Sequence, residues 1–163
     1  MSIANSIGGT EAGGPAGAEA VPQLNSLLRG EISAAETYRM AIDRAAGSDS
    51  QASTGLLREI QEEHGRAAQA VRDRIRELGG QATESSGAWG AWAKTVQATM
   101  NLFGDASSLK ALKEGEEHGL KDYNDAVNGL DATSREFVRN QLIPQQQRHI
   151  DLLDQIISTV GSN

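Results

Sequence analysis

Residues 30–38 read Gly30-Glu31-Ile32-Ser33-Ala34-Ala35-Glu36-Thr37-Tyr38, and residues 115–123 read Gly115-Glu116-Glu117-His118-Gly119-Leu120-Lys121-Asp122-Tyr123. The Gly-Glu pair and the Tyr seven residues after the Glu recur at a separation of 85, and the same shift carries Gln61 onto Gln146 and His64 onto His149. Each half of the chain is therefore a Gly-Glu, a Tyr, and a Gln-x-x-His whose His lies 33 residues beyond the Glu. Two of the 3 histidines belong to this repeat. A duplicated helix pair that brings two Glu and two His to one place makes a metal site the first hypothesis.

The apolar residues around these positions recur at helical spacing. Leu24, Leu27, Leu28, Ala35, Tyr38 and Ile42 form one stripe, which ends before Gly47-Ser48. Leu57, Ile60, His64, Ala68, Val71, Ile75 and Leu78 form a second, closed by Gly79-Gly80, a glycine signal for a helix C-terminus. The third carries Leu109, Leu112, Glu116, Gly119, Tyr123, Val127 and Leu130. The fourth carries Val138, Leu142, Gln146, His149, Leu153, Ile156 and Val160, with Asp131 or Thr133 as its cap. Pro144 falls inside this last pattern, where its missing N–H predicts a kink a turn before Gln146 and His149.

The links between the first and second helices and between the third and fourth are short, but about 28 residues separate the second from the third. A link of that length can carry the chain from one end of a bundle back to the other. Within it, Trp89, Trp92, Val96, Met100, Leu102 and Phe103 predict a short amphipathic helix. Residues 1–20 hold Gly, Ala and Ser with hardly a large apolar side chain, so a flexible tail is expected there and one domain over 21–163. The predicted fold class is all-α: a four-helix bundle of two pseudo-repeated helical hairpins with a long crossover carrying a short helix.

Composition narrows the chemistry. The chain has 163 residues, 15 Lys and Arg against 22 Asp and Glu, and a net charge of −7, which opposes binding to nucleic acid or anionic lipid. It has no cysteine, so thiolate metal sites, disulfides and thiol nucleophiles are excluded. No leader-like segment or run of about 18 apolar residues occurs, and a cytoplasmic protein with no membrane partner is expected.

Glu31, Gln61, His64, Glu116, Gln146 and His149 all fall on the apolar stripes, so six polar side chains interrupt four apolar seams. Carboxylates removed from water cost several kcal/mol each unless something positive meets them, and the stripes hold no Lys or Arg. A divalent cation answers that need; two carboxylates and two imidazoles suit iron, zinc, manganese or cobalt. The competing reading is a metal-free polar core in which a protonated Glu is hydrogen-bonded to the Gln, His and Tyr groups. Tyr38 and Tyr123 lie two turns from the glutamates, where each can hydrogen-bond a ligand or simply fill space. His118 is off its stripe and expected in solvent. Glu62, Glu63, Glu114 and Glu117 read as solvated faces, with Glu63 or Glu117 turning inward only if the register slips by one residue.

At these residues the chain resembles the ferritin-like superfamily, whose bundles supply a Glu and a Glu-x-x-His from each hairpin to a carboxylate-bridged di-metal centre. Leu24-Asn25-Ser26-Leu27, Glu77-Leu78-Gly79-Gly80, the Trp-containing crossover and Gly115 to Tyr123 look like an uncharacterised bacterial four-helix-bundle family in that clan, a domain of unknown function. The resemblance covers Leu24 to Val160 and implies fold more strongly than activity. Gln61 and Gln146 depart from it, standing where metal-binding members have the bridging Glu. The set that remains, Glu31, His64, Glu116 and His149, carries two negative charges and matches one divalent ion better than two. The leading expectation is a metal-binding bundle using those four ligands, with Gln61 and Gln146 orienting them or weakly coordinating. Any iron or oxidative-stress role is implied by the resemblance alone. The alternative is a metal-free structural or stress-associated bundle acting by self-association. A homo-oligomer, such as a dimer, is the expected partner. No catalytic residue can be assigned.

Overall fold

The computed structural model describes residues 15–45, 51–87 and 106–160. They form four helices: α1 (Pro15–Ala45), α2 (Gln51–Glu77), α3 (Ala106–Ala126) and α4, which runs through Ala132–Phe137, Val138–Leu142 and Ile143–Val160. No strand occurs among the described residues, and no helix is long and apolar enough to cross a membrane.

Two apolar clusters fix how the helices run. One joins Leu24 and Leu28 of α1 to Val71 and Ile75 of α2, Tyr123 and the following Val127 and Leu130, and Val138 and Leu142 of α4. The other joins Tyr38 and Ile42 to Leu57 and Ile60, Leu109 and Leu112, and Leu153 and Ile156. The start of α1 thus meets the end of α2, and the end of α3 meets the start of α4. Both hairpins are antiparallel. Because α2 ends at the first cluster and α3 begins at the second, the link between them must travel the length of the bundle. Its first part does so along α1: the Asn25 side chain donates to the Gln81 carbonyl at 2.9 Å and accepts from the Thr83 N–H at 2.8 Å, and the Ser86 hydroxyl donates to Glu36 at 3.1 Å. The predicted amphipathic helix with Trp89 and Trp92 lies outside the described residues.

Local chemistry sets the helix ends. At the end of α2, Gly79 adopts φ 73°, the left-handed conformation open to glycine. Its N–H donates to the Arg76 carbonyl and that of Gly80 to the Ile75 carbonyl, both at 2.9 Å, which satisfies carbonyls the helix would leave open. The opposite boundary departs from expectation. Helix α1 begins at Pro15, so residues 15–20, expected in the tail, are helical, and residues 1–14 lie outside the described residues. Proline fits a first helical turn because its missing N–H would have no partner there. The small residues are also a packing device, since Ala20 is fully buried and a Cβ on Gly17 would sit 3.1 Å from Leu78.

The distortion expected at Pro144 takes the form of a π-helical segment, Val138–Leu142, just ahead of it, where the Ile143 N–H bonds the Val138 carbonyl. Widening the helix by one residue per turn rotates everything after it and so sets the direction of Gln146 and His149. Asp131 caps α4, accepting from the Ser134 N–H at 3.1 Å, while Arg74 of α2 donates to Asp131 and to the Ser134 hydroxyl, each at 2.8 Å. Burial pushes the Asp131 carboxyl up, but Ser134 and Arg74 outweigh it and hold it down. Asp131→Ala is expected to lower stability by about 1–2 kcal/mol, the loss of a cap and a half-buried ion pair. Asp125→Ala, which removes only the exposed partner of Lys121, should stay within about 0.5 kcal/mol of the parent. Urea unfolding of both variants decides it: equal losses would mean the cap contributes nothing.

Candidate metal centre

Each stripe carries its polar residue at the level between the two apolar clusters. Glu31 follows Leu27 and Leu28 by a turn, His64 follows Ile60, Glu116 follows Leu112, and Gln146 and His149 lie between Leu142 and Leu153. Their exposures are 4% for Glu31, 1% for His64, 3% for Glu116, 4% for Gln146 and 0% for His149. The interior of the bundle is therefore two apolar blocks with a dry polar layer between them.

Glu116 is the hub of that layer. Its Oε1 lies 3.1 Å from His64 Nε2 and its Oε2 lies 3.3 Å from His149 Nδ1. The other nitrogen of each ring meets a different carboxylate: His64 Nδ1 is 2.9 Å from Glu31 Oε2, and His149 Nε2 is 2.7 Å from Glu63 Oε2. The tyrosines cross between the hairpins, Tyr38 donating to Glu116 Oε1 at 2.5 Å and Tyr123 donating to Glu31 Oε1. Gln146 Nε2 donates to Glu116 Oε2 at 2.7 Å and to its backbone carbonyl at 2.9 Å. The two imidazoles meet edge to face with centroids 4.8 Å apart, and Tyr38 stacks on His64. His64, Glu116 and His149 each offer one ligand atom, all within 4.8 Å of one another, and could hold a metal ion.

Charge in the layer is strongly coupled. Burial alone would push the His64 imidazole down, but the Glu116 and Glu31 carboxylates on either side raise it to about 10. Burial likewise pushes Glu116 up, and His64 and His149 overcome it, holding the carboxyl at about 2. Both tyrosines are raised well above their ordinary value by burial and by the carboxylate each one bonds, so they remain donors.

Glu31, His64, Glu116 and His149 all reach the layer, with Tyr38, Tyr123 and Gln146. Glu31 differs from the others in position, since it touches the edge of the His64 ring that faces away from Glu116. Gln61 is half-buried and makes no hydrogen bond to the layer among the described residues. The carboxylate on α2 that does reach it is Glu63, read from the sequence as a solvated face unless the register slipped. Glu62, Glu114, Glu117 and His118 are exposed as expected. Glu63 has a side-chain exposure of 13% and also accepts from Arg148, with Arg66 3.7 Å away. Burial raises its carboxyl, and His149 and Arg148 more than reverse that. A signal for it was present: the 85-residue shift that pairs the histidines also pairs Glu63 with Arg148, opposite charges at equivalent positions of two helices.

Gly119 is what lets Gln146 into the layer. A Cβ there would lie 2.7 Å from Gln146 Nε2, so Gly119→Ala should displace the amide from Glu116. The loss of a buried hydrogen bond to a charged group, about 1.5–3 kcal/mol, outweighs the roughly 1 kcal/mol gained from alanine in a helix. Thermal unfolding should show a lower midpoint; a rise would mean that the amide relocates without loss.

The sequence profile of one protein family, described as a domain of unknown function (DUF2383), matches residues 19–129, a span that takes in Glu31, Glu63, His64 and Glu116. No curated protein and no solved structure matches the chain.

Proposed function

Because the chain belongs to the DUF2383 family of domains of unknown function, its role has to be read from the polar layer, and we propose that it is a ferritin-like bundle of two duplicated hairpins binding one divalent metal ion. The ligands are His64 Nε2, His149 Nδ1 and the Glu116 carboxylate. One observation carries this reading: each histidine has a carboxylate on the nitrogen that faces away from Glu116, Glu31 on His64 and Glu63 on His149. That arrangement leaves the Glu116-facing nitrogen of each ring to bind an ion, which would displace the proton that His64 otherwise holds there, and a carboxylate on the far nitrogen is the usual outer-shell partner of a metal-ligating histidine. Two imidazoles and one carboxylate fit iron, zinc or manganese. Bound there, the ion would supply positive charge and, with three protein ligands, a coordination position open to water or a small ligand. Gln146 already occupies Glu116 Oε2 and Gln61 stands away from the layer, which supports one ion over two. The reciprocal bonds of Tyr38 to Glu116 and Tyr123 to Glu31 support the duplication.

Metal analysis of untagged protein exposed in turn to Fe(II), Zn(II) and Mn(II) tests the proposal. The parent protein is expected to retain close to one equivalent of at least one of these ions and to melt higher when loaded, since binding to the folded state alone adds stability. Retention below about a tenth of an equivalent for all three would end the metal reading.

A second reading has its own observation. With His64 protonated between Glu31 and Glu116, the layer contains its own cation and can close without an ion. The protein would then be a structural or stress-associated bundle acting by self-association, as a dimer for instance. Unchanged melting with every metal, a stable Glu31→Leu, Glu116→Leu double variant and a dimer in sedimentation would favour it. A cytoplasmic location goes with both readings.

A further inference from the structure

A cavity of about 70 Å³ separates α1 from α3 beside the polar layer. Its lining includes Gly30 and Ala34 on one helix and Gly115 and Gly119 on the other, none with a side chain larger than a methyl, beside the larger Leu27, Tyr38 and Tyr123. Its lining grades from exposed Ser26 and His118, through half-buried Asp122, to buried Glu31, His64 and Glu116. A Cβ on Gly30 would meet nothing within 4 Å. A single water needs roughly 10–15 Å³, so the space admits a partly hydrated ion.

The two flanks of the layer differ in charge. Between α2 and α4, the guanidinium groups of Arg148 and Arg66 stand over Glu63, so a cation approaching there meets positive charge. Between α1 and α3 the mouth holds Asp122, 3.5 Å from His118. The neighbouring Lys121 is paired with Asp125 on the exposed face. An opening with one carboxylate, Asp122, at its rim and two more at its floor concentrates cations, because the low-dielectric walls focus the field.

We infer that the cavity between α1 and α3 is the entry route for a divalent cation, with Asp122 at its mouth drawing the ion toward Glu31 and Glu116. The inference rests on the metal-binding reading of the centre. Water is shed in steps as oxygen atoms of Asp122 and then of the buried glutamates replace it, and small walls leave room for the waters still attached.

Stopped-flow uptake of Co(II) by the metal-free full chain, followed by visible absorbance, tests the route. Gly30→Leu, placed where a side chain meets open space, should slow uptake at least tenfold with the final equivalents unchanged. Ala34→Leu, from the same wall, gives a second obstruction should the first variant fold poorly by circular dichroism. Asp122→Asn should slow uptake several-fold and weaken its dependence on ionic strength. Uptake at the parent rate in both wall variants would overturn the route while leaving the metal reading intact. A parent protein that takes up no Co(II) would remove the route, and one that also retains no Fe(II), Zn(II) or Mn(II) would remove the metal reading with it.

Discussion

Glu116→Ala is expected to lose the bound ion entirely and to unfold about 3–5 kcal/mol more easily than the parent protein even without metal. The two effects have one origin. Glu116 is the group that both imidazoles face, and it also accepts from Tyr38 and Gln146. Removing it leaves His64 charged against Glu31 alone, leaves the Tyr38 hydroxyl without its acceptor in a dry interior, where unsatisfied groups are costly, and leaves the Gln146 amide only the backbone carbonyl of residue 116. Glu31→Ala separates the roles of the two glutamates. Glu31 bonds the far nitrogen of His64, so its loss should weaken metal binding by about 10–100-fold without abolishing it. Titration by calorimetry or a competing chelator reads both numbers. If Glu116→Ala keeps full affinity, the hub has been misassigned; if Glu31→Ala removes the ion altogether, Glu31 is itself a ligand.

The second large effect is on pH dependence. Glu116 is held at about 2, below its ordinary 4.5, so its contribution is complete above pH 4.5 and is lost as pH falls toward 2. His64 is raised to about 10 from 6.5, so its contribution is complete below pH 6.5 and is lost as pH rises through 10. Chelator-treated protein should therefore be most stable between pH 4.5 and 6.5 and decline on both sides, the alkaline decline beginning well before any tyrosine ionises. His64→Gln should abolish the alkaline arm. Urea unfolding at successive pH values measures the profile, and a flat course from pH 7 to 10 in the parent would show that no proton is held between the two glutamates.

Most of the bundle was legible because helical periodicity is a local property. Every member of the α3 and α4 stripes is buried except half-buried Gly119 and Val160, Ser134 and Ile150 of α4 are buried outside them, and the 28-residue link between α2 and α3 was already long enough to cross the bundle. The start of α1 was not legible. A run of Ala and Gly carries little hydrophobic signal, and its value lies in fitting closely against Leu78, a contact 61 positions away in sequence.

For the centre, spacing in the chain already placed Glu31, His64, Glu116 and His149 at one level and on one face, since a helix turns by a constant angle per residue. What spacing could not supply was which atom of each side chain meets which. That depends on the seams between helices, where Glu63 reaches His149 and Gln61 does not reach the layer, and on the π-helical turn that swings His149 toward both Glu63 and Glu116. It also depends on the mutual influence of charges in a dry space, by which Glu31 and Glu116 turn His64 into a cation that its sequence neighbours alone would not have made.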